Sequence, residues 1–457
     1  MSIVSSLKRF KNSNRENAED KNFGKAKKVD RIKIIGGKRL NGVIPISGAK
    51  NAALPLMIAS LLTEETLTLE NVPHLADVEQ LIRILSNHGV DFSVNGRRLH
   101  QESSYSRTVH FNARTIATTR APYELVSKMR ASFWVIGPLL ARMGEACVSL
   151  PGGCAIGTRP VDFILHGLEA LGSELSIENG YAYARAPKGL KGADYHFPKV
   201  TVGGTHVMVM AASLAKGHTV LHNAACEPEV TNLIDCLNAM GAKIYGAGTS
   251  TLEIEGVSSL SGAHVKVIAD RIEAGTYAMA VAMTGGKVLL QNGDANSLRT
   301  VLTTLQQTGL DIEETDQGIL VARNGHDIQP VNIETQPFPG FPTDLQAQFM
   351  GLMTRAKGTS HITEKIFENR FMHVQELARL GADISLSGQT ATVTGSDYLQ
   401  GAQVMATDLR ASVSLVIAGL AAQGETIVNR VYHLDRGFER LEEKLSNCGA
   451  NIERIHG

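Results

Sequence analysis

The 457-residue chain has few cysteines, no excess of charge and no long apolar run. Its five cysteines include no C-x-x-C pair, which argues against a disulfide framework and a zinc site and favours a reducing, cytoplasmic setting. The 45 Lys and Arg residues balance the 45 Asp and Glu residues, so a nucleic-acid partner is disfavoured. No stretch approaches the roughly 18 apolar residues of a membrane span, and we expect no stable membrane insertion.

Four common catalytic signatures are also missing from the sequence. It contains no GxxxxGK[ST] loop, no GxGxxG after a strand, no HExxH and no GxSxG. These absences argue against nucleotide hydrolysis, hydride transfer and serine hydrolysis. A phosphate group would then have to be held by Arg, Lys and backbone amides. We expect neither a metal nor a cofactor.

Residues 1–30 are predicted to be a flexible basic extension. Met1 to Arg31 carries nine Lys or Arg residues against four Asp or Glu residues and lacks the apolar region of a signal peptide. A solvated tail and a weak contact with an acidic partner are both compatible with this composition.

One sequence unit recurs six times along the rest of the chain. Each copy ends a helix-like stretch with Leu-x-x-x-Gly, and a strand-like stretch of alternating residues follows. The six glycines, spaced 83, 69, 68, 72 and 68 residues apart, are Gly89, Gly172, Gly241, Gly309, Gly381 and Gly449. We expect each to adopt the left-handed conformation that ends a helix, because glycine does so without steric cost.

A second helix in each unit is almost wholly apolar, as in residues 411–422. Each unit reads as strand, helix, strand, helix and two strands (βαβαββ). Because the apolar helices have no polar face for water, we predict an α/β fold with these helices buried and the strands outside them. The segment from Gly256 to His264 resembles a linker between two domains of three units each. A cleft between two similar domains is a natural substrate site.

A glycine-rich loop, PGGCAIGTRPVD from Pro151 to Asp162, carries Cys154. Arg159 and the helix that follows would favour the thiolate or poise the thiol as a proton donor near neutral pH. We expect the other four cysteines to be buried and inert: Cys147, which we place in a strand, Cys226, Cys236 and Cys448.

Six basic residues lie at the ends of predicted elements: Lys50, Arg130, Arg159, Arg370, Arg410 and Arg436. A neighbouring acid is one partner for each of them, and an anionic ligand is another, because Arg matches phosphate and carboxylate oxygens. Their positions at equivalent junctions of the repeat favour a small substrate with several charges.

Three aspartates, Asp270, Asp344 and Asp408, each open an apolar helix, where an N-cap residue is typical. Asp344 follows three prolines that stiffen its approach, so it is also a candidate base.

Seven motifs occur in the order typical of one enzyme family: SGAKNAALP (47–55), MRAS (129–132), LPGGCAIGTRPVD (150–162), FPTDLQAQF (341–349), FENRFMHV (367–374), ATDLRAS (406–412) and HLDRG (433–437). From about Val29 to its end the chain resembles the enolpyruvyl transferases, and among them the UDP-N-acetylglucosamine 1-carboxyvinyltransferase family. The resemblance implies an inside-out α/β barrel fold with an active site between two domains. These would be 50–266 and 31–49 plus 267–457.

The resemblance also implies the reaction. Enolpyruvyl transferases of this family move the enolpyruvyl group of phosphoenolpyruvate to the 3-hydroxyl of UDP-N-acetylglucosamine and release phosphate. This is the first committed step of cytoplasmic peptidoglycan synthesis, on which cell shape and division depend. No metal is needed, and the oligomeric state is left open.

Site residues carry over by matching motifs. Cys154 would donate a proton to the phosphoenolpyruvate methylene and form a covalent adduct, and Asp344 would accept the proton of the sugar hydroxyl. Lys50, Arg130, Arg159 and Arg410 would hold phosphate and carboxylate oxygens, with Arg436 as a further carboxylate contact, Asn51 beside the substrates and Arg370 in a structural role. The UDP-sugar contacts would be Arg159, Pro160, Val161, Asp162, Phe163, Lys199, Val200, Thr201, Val202, Asp344 and Ile366.

Two alternatives remain. The related 5-enolpyruvylshikimate-3-phosphate synthases share the fold and the donor but lack the cysteine loop. A non-catalytic UDP-sugar-binding regulatory paralogue should have lost Cys154, Lys50, Asp344 or Arg410, and all four are present.

The thiol supplies a direct test. Fosfomycin, an epoxide analogue of phosphoenolpyruvate, should alkylate Cys154, because the thiolate is the nucleophilic form. We expect the alkylation to be faster with UDP-N-acetylglucosamine bound. Peptide mass mapping checks the position. A label on another cysteine, or none at all, would contradict the assignment of the loop.

Overall fold

The computed structural model describes residues 30–95, 107–152 and 161–457. Within these ranges the α-helices are α1 (Lys50–Ala59), α2 (Ala76–Asn87), α3 (Tyr123–Val126), α4 (Ile136–Met143), α5 (Asp162–Ala170), α6 (Val202–Ala212), α7 (Pro228–Ala239), α8 (Arg271–Thr284), α9 (Arg299–Gln307), α10 (Gln346–Met353), α11 (Val374–Arg379), α12 (Ser412–Ala421) and α13 (Leu441–Asn447). Short 3₁₀ helices cover Ser60–Leu62, Arg130–Val135, Asn296–Leu298, Thr343–Leu345 and Val431–Arg436.

The strands of the described ranges are short. In chain order they are β1 (Arg31–Ile35), β2 (Leu40–Pro45), β3 (Thr66–Val72), β4 (Asp91–Asn95), β5 (Arg107–Asn112), β6 (Arg120–Ala121), β7 (Glu145–Ser149), β8 (Glu174–Glu178), β9 (Tyr181–Arg185), β10 (Asp194–His196), β11 (His218–His222), β12 (Lys243–Tyr245), β13 (Thr251–Glu255), β14 (Ala263–Lys266), β15 (Gly286–Gln291), β16 (Asp311–Thr315), β17 (Gly318–Arg323), β18 (Ile333–Glu334), β19 (Thr359–Thr363), β20 (Asp383–Ser387), β21 (Thr390–Thr394), β22 (Gln403–Met405), β23 (Glu425–Asn429) and β24 (Asn451–Ile455).

These strands form six four-stranded sheets of one pattern. In the sheet β6-β7-β9-β8, for example, β6 is parallel to β7, and the other two pairings are antiparallel. The chain order of that unit is β6, the short helices α3 and Arg130–Val135, then α4, β7, α5, β8 and β9. The predicted βαβαββ unit is therefore confirmed.

Two units exchange their first strands. The strand β2 pairs in parallel with β15 of the fourth unit, and β14 pairs in parallel with β3 of the first. The interpretation of Gly256 to His264 as the linker is wrong at its end, because Ala263 and His264 belong to β14 and pair with β3. The strand β1 lies between β23 and β24 and completes the sixth sheet.

The chain crosses between the two groups of three sheets at residues 46–49 and 267–270. These crossing segments pair with each other. The Ala49 N–H donates to the Ile268 carbonyl (2.7 Å), and the Asp270 N–H donates to the Ser47 carbonyl (2.8 Å). The two groups of sheets are therefore connected by two paired segments of the chain.

The six repeat glycines all have positive φ, at 92° for Gly89, 86° for Gly172, 99° for Gly241, 94° for Gly309, 88° for Gly381 and 95° for Gly449. Each ends a helix and leads into the next strand of its sheet. The left-handed conformation predicted for the repeat is confirmed.

Apolar helices fill two hydrophobic cores. One core is built from residues between 49 and 267, and the other from residues 32–46 and 272–452. Residues 271–283 of α8 are all buried, and so are residues 412–420 of α12. The inside-out arrangement of buried helices and outer sheets is confirmed. No helix of the described ranges has the length and hydropathy to cross a membrane.

A buried ionic cluster holds the first crossing segment. Lys444 Nζ donates to Glu273 Oε1 (2.5 Å) and to Ser47 Oγ (2.8 Å), and Ser47 Oγ donates to Glu439 Oε2 (2.5 Å). Burial raises the pKa of Glu273, and the charge of Lys444 opposes this effect. Lys444 thus compensates a carboxylate that has little access to water.

Replacing Lys444 with Met should lower the free energy of unfolding by about 3–5 kcal/mol, because it leaves Glu273 buried without its cation. Lys357→Met is the matched control, since Lys357 pairs with Asp397 at 2.6 Å on an exposed surface and should change stability by less than about 1 kcal/mol. Urea denaturation measures both. Equal effects of the two substitutions would contradict a structural role for the cluster.

Candidate active site

The buried helix α1 begins at Lys50, whose side chain lies between the two cores and is 9% exposed. Lys50 Nζ lies 3.2 Å from Asp77 Oδ2. Burial lowers the pKa of Lys50 although the charge of Asp77 raises it, and Arg410 lowers it further. The ammonium group is thus held at a site where positive charge is costly.

Asp77 was missed by the sequence analysis. It lies in the first turn of α2, is 4% exposed, and binds Lys50 through Oδ2 and Arg436 Nε through Oδ1 (2.8 Å). Burial raises its pKa, but Lys50 and Arg436 outweigh that effect and keep the pKa below its usual value. Its spacing of four and eight residues from Leu81 and Leu85 was the available signal, because it places Asp77 on the apolar face of α2.

Asp344 lies in the 3₁₀ helix just before α10. Its Oδ1 accepts from Arg370 Nη2 (2.7 Å), its Oδ2 accepts from Asn51 Nδ2 (3.3 Å), and Arg410 Nε lies 3.7 Å from Oδ2. Burial raises the pKa of Asp344, but the charges of Arg370, Arg410 and Lys50 hold it well below its usual range. Asp344 is therefore an anion in this structure.

Arg410 is a buried guanidinium with incomplete hydrogen bonding. Its side chain is 3% exposed, and Nη1 donates to the Gly437 carbonyl (3.0 Å). Among the described residues, Nε and Nη2 have no hydrogen-bond acceptor, although Asp270 Oδ2 lies 3.6 Å from Nη2. Because a buried donor without an acceptor is costly, these two nitrogen atoms would gain from the oxygen atoms of an anionic ligand.

The other two aspartates accept hydrogen bonds from backbone N–H groups, and only Asp270 is a helix N-cap. Asp270 Oδ1 accepts from the N–H groups of Ile272 (2.8 Å) and Glu273 (3.1 Å) at the start of α8. Asp408 Oδ1 accepts from the N–H groups of Arg410 and Ala411, both at 2.7 Å, just before α12. The N-cap prediction is confirmed for Asp270. It is wrong for Asp408, because the N-cap residue of α12 is Ala411 and Asp408 binds the turn before the helix. The carboxylate of Asp344 contacts side chains.

Several predicted contacts of the UDP-sugar lie at the starts of two helices of the first core. Val161, Asp162 and Phe163 lie at the start of α5, and the Phe163 carbonyl accepts from Tyr195 Oη (3.2 Å). Lys199 and Val200 precede α6, Thr201 caps it by accepting from the Gly204 N–H (3.2 Å), and Val202 is its first residue.

The remaining predicted residues are placed as follows. The Ile366 N–H donates to Glu364 Oε1 (2.9 Å), Arg130 opens the 3₁₀ helix Arg130–Val135, and Arg436 ends the 3₁₀ helix Val431–Arg436. Cys154, Arg159 and Pro160 lie outside the described residues. The structure brings together Lys50, Asn51, Asp344, Arg370, Arg410 and Arg436, and their roles in the reaction stay predictions.

The other cysteines differ from one another. Cys236 and Cys448 are buried as expected, and burial raises the pKa of Cys236 to about 12 and that of Cys448 to about 11. The expectation of full burial is wrong for Cys147 and Cys226, which are half-buried because Cys147 points to the outer face of β7 and Cys226 lies in the loop before α7.

Among the described residues, four cations of the site contact three carboxylates. Lys50, Arg370, Arg410 and Arg436 share the carboxylates of Asp77, Asp344 and Asp270. The neighbouring-acid alternative is thus realised for Lys50, Arg370 and Arg436, whereas the pairing of Arg410 is incomplete. Such an arrangement can hold an anion beside a carboxylate.

Comparisons with known proteins agree with this geometry. Residues 34–445 match the family described as EPSP synthase (3-phosphoshikimate 1-carboxyvinyltransferase). The UDP-N-acetylglucosamine 1-carboxyvinyltransferases of Brucella ovis and Brucella canis are each 78% identical over 429 residues, which is 94% of this chain and 100% of theirs.

Two solved structures show the same fold. The enolpyruvyl transferase NikO from Streptomyces tendae has a TM-score of 0.82 and 23% identity and covers 94% of this chain and 100% of its own. An EPSP synthase from Acinetobacter baumannii has a TM-score of 0.71 and 17% identity and covers 93% of this chain and 100% of its own.

The fold, the cationic site and the family match show that the protein is an enolpyruvyl transferase. Within that class, the identity over nearly the whole chain shows that the protein belongs to the UDP-N-acetylglucosamine 1-carboxyvinyltransferase family.

The Asp344–Arg370 pair generates a stability prediction. Asp344→Asn and Arg370→Gln should each destabilise the fold, because each leaves a largely buried charge without its partner. The double variant should be more stable than the sum of the single effects predicts, by about 1–3 kcal/mol. Urea denaturation of the four proteins completes the cycle. Strict additivity would show that the two residues do not act as a pair.

Proposed function

We propose that the protein transfers the enolpyruvyl group of phosphoenolpyruvate to the 3-hydroxyl of UDP-N-acetylglucosamine, with release of phosphate. The observation that carries the proposal is the buried Arg410 beside the carboxylate of Asp344. Its Nε and Nη2 atoms lack hydrogen-bond acceptors among the described residues. The 78% identical relatives carry the name of this activity.

Phosphoenolpyruvate brings a phosphate and a carboxylate to one carbon skeleton. Lys50 and Arg410 are available to its oxygens from opposite cores, with Arg130, Arg159 and Arg436 as further cations. Charge-assisted hydrogen bonds from Arg and Lys hold such oxygens and stabilise the negative charge that moves onto the leaving phosphate.

Asp344 accepts the proton of the sugar hydroxyl in this proposal, with Asn51 beside it. The cations that hold its pKa low are those proposed to bind phosphoenolpyruvate, together with Arg370. Bound phosphate and carboxylate groups would oppose these cations, so the pKa of Asp344 would rise and its carboxylate would become a better base. Donor binding thus prepares the base.

The proposed reaction has two steps, an addition and an elimination. In the addition, the sugar oxygen bonds to C2 of phosphoenolpyruvate while Cys154 gives a proton to C3. In the elimination, C3 returns a proton to the Cys154 thiolate and the bond from C2 to the phosphate oxygen breaks, which restores the double bond and releases phosphate.

The acceptor would lie across two domains, 50–266 and 31–49 plus 267–457, with the active site between them. Residues at the starts of α5 and α6 would contact UDP-N-acetylglucosamine from the first domain, together with Arg159 and Pro160. Asp344 and Ile366 would contact it from the second. We place the reaction in the cytoplasm, as the first committed step of peptidoglycan synthesis.

Phosphate release from phosphoenolpyruvate tests the proposal. Wild-type protein should release phosphate with UDP-N-acetylglucosamine and not with shikimate 3-phosphate. Cys154→Ala should slow release by about 10²- to 10⁴-fold, the usual contribution of a positioned proton donor. Cys147→Ala is the matched control, because Cys147 lies on the sheet β6-β7-β9-β8 and should retain wild-type rates.

Release with shikimate 3-phosphate alone would support the related synthase. No release with either acceptor would support a non-catalytic protein that binds UDP-sugar.

A further inference from the structure

We propose that Asp77 is a positioning residue for this reaction: its buried carboxylate holds the Lys50 ammonium group in the donor site and ties it to Arg436 of the opposite core. The inference rests on the proposed function and adds a residue that no motif of the sequence marked.

The Asp77 carboxylate contacts one cation from each core. Asp77 Oδ2 lies 3.2 Å from Lys50 Nζ, and Asp77 Oδ1 lies 2.8 Å from Arg436 Nε. The side chains of Asp77 and Lys50 are 5% and 9% exposed, so water contributes little to either charge. Each carboxylate oxygen therefore holds a different cation.

Lys50 depends on Asp77 for its charge. The ionisable groups that face it are the acids Asp77, Asp344 and Asp270 and the cations Arg410 and Arg436. Asp344 is engaged by Arg370, and Asp270 caps α8. Asp77 is the acid in hydrogen-bond contact with Lys50 Nζ, and a buried ammonium without such a partner tends to lose its proton.

Arg436 links Asp77 and Lys50 to the second core. It ends the 3₁₀ helix Val431–Arg436, whereas Asp77 and Lys50 belong to helices of the first core. One carboxylate thus sets where cations from both cores lie relative to each other. A donor held by both cations requires this spacing, and small errors of position are costly in catalysis.

Asp77→Asn removes the charge and keeps the size of the side chain. The kcat/KM for phosphoenolpyruvate should fall about 100-fold or more, whereas the KM for UDP-N-acetylglucosamine should change less than about threefold. Because the charge of Asp77 raises the pKa of Lys50, its removal lowers that pKa. The alkaline loss of activity should therefore move to lower pH.

Two further variants separate charge from position. Asp77→Glu keeps the charge but displaces the carboxylate, so the alkaline limb should stay near the wild-type position while kcat/KM falls about tenfold. Asp397→Asn is the matched control, because Asp397 pairs with Lys357 on the surface, and it should leave the kinetics unchanged. Circular dichroism checks that each variant folds. If Asp77→Asn does not fold, the kinetics of Asp77→Glu decide the test.

A second readout does not need turnover. Reductive methylation followed by mass mapping measures the reactivity of each lysine, and the neutral amine is the reactive form. Asp77→Asn should speed labelling of Lys50 at least about threefold over the wild-type rate, because more of Lys50 is neutral. Asp397→Asn should not change the labelling of Lys50.

The outcomes are distinguishable. Unchanged donor kinetics in folded Asp77→Asn, or unchanged labelling of Lys50, would overturn the positioning role. A wild-type protein that releases no phosphate would refute the proposed function, and with it any role of Asp77 in that reaction. Faster labelling of Lys50 in Asp77→Asn would in that case still support the contact between the two residues.

Discussion

Apolar helices with no face for water constrain this structure more than any other feature. They must be buried, and the sheets that cover them then lie outside. The starts of these helices become the places where polar side chains can meet. Lys50 begins α1, Asp270 caps α8, and Asp344 and Arg410 immediately precede α10 and α12. The packing of the cores thus assembles the site.

At that meeting point the described cations outnumber the carboxylates that they contact, so their positive charge is only partly compensated. Asp77 and Asp344 divide the cations between them, and Arg410 retains N–H groups without acceptors among the described residues. An anionic substrate would complete the balance. The same balance controls the basicity of Asp344, so donor binding and proton acceptance are coupled through one set of charges.

Much of the fold could be predicted because its causes are local. Leu-x-x-x-Gly predicts a helix end, since glycine alone adopts the left-handed conformation without cost, and positive φ at all six glycines confirms it. Asp270 caps α8 for an equally local reason. The pairing of β2 with β15 and of β14 with β3 followed only from the family resemblance, which assigned 31–49 to the second domain. The repeat did not predict it, because strand pairing joins residues far apart in sequence and either partner sheet satisfies the same pattern.

For the site, the sequence by itself determined which chemical groups are present, the repeat that carries them and the family that the motifs resemble. Only the tertiary structure decided which charges meet. Asp77 and Arg436 are 359 residues apart and in contact, and Asp77 reads along the chain as an ordinary acid in the first turn of a helix. The strength of a charge pair depends on distance and burial, which packing sets and residue order does not reveal.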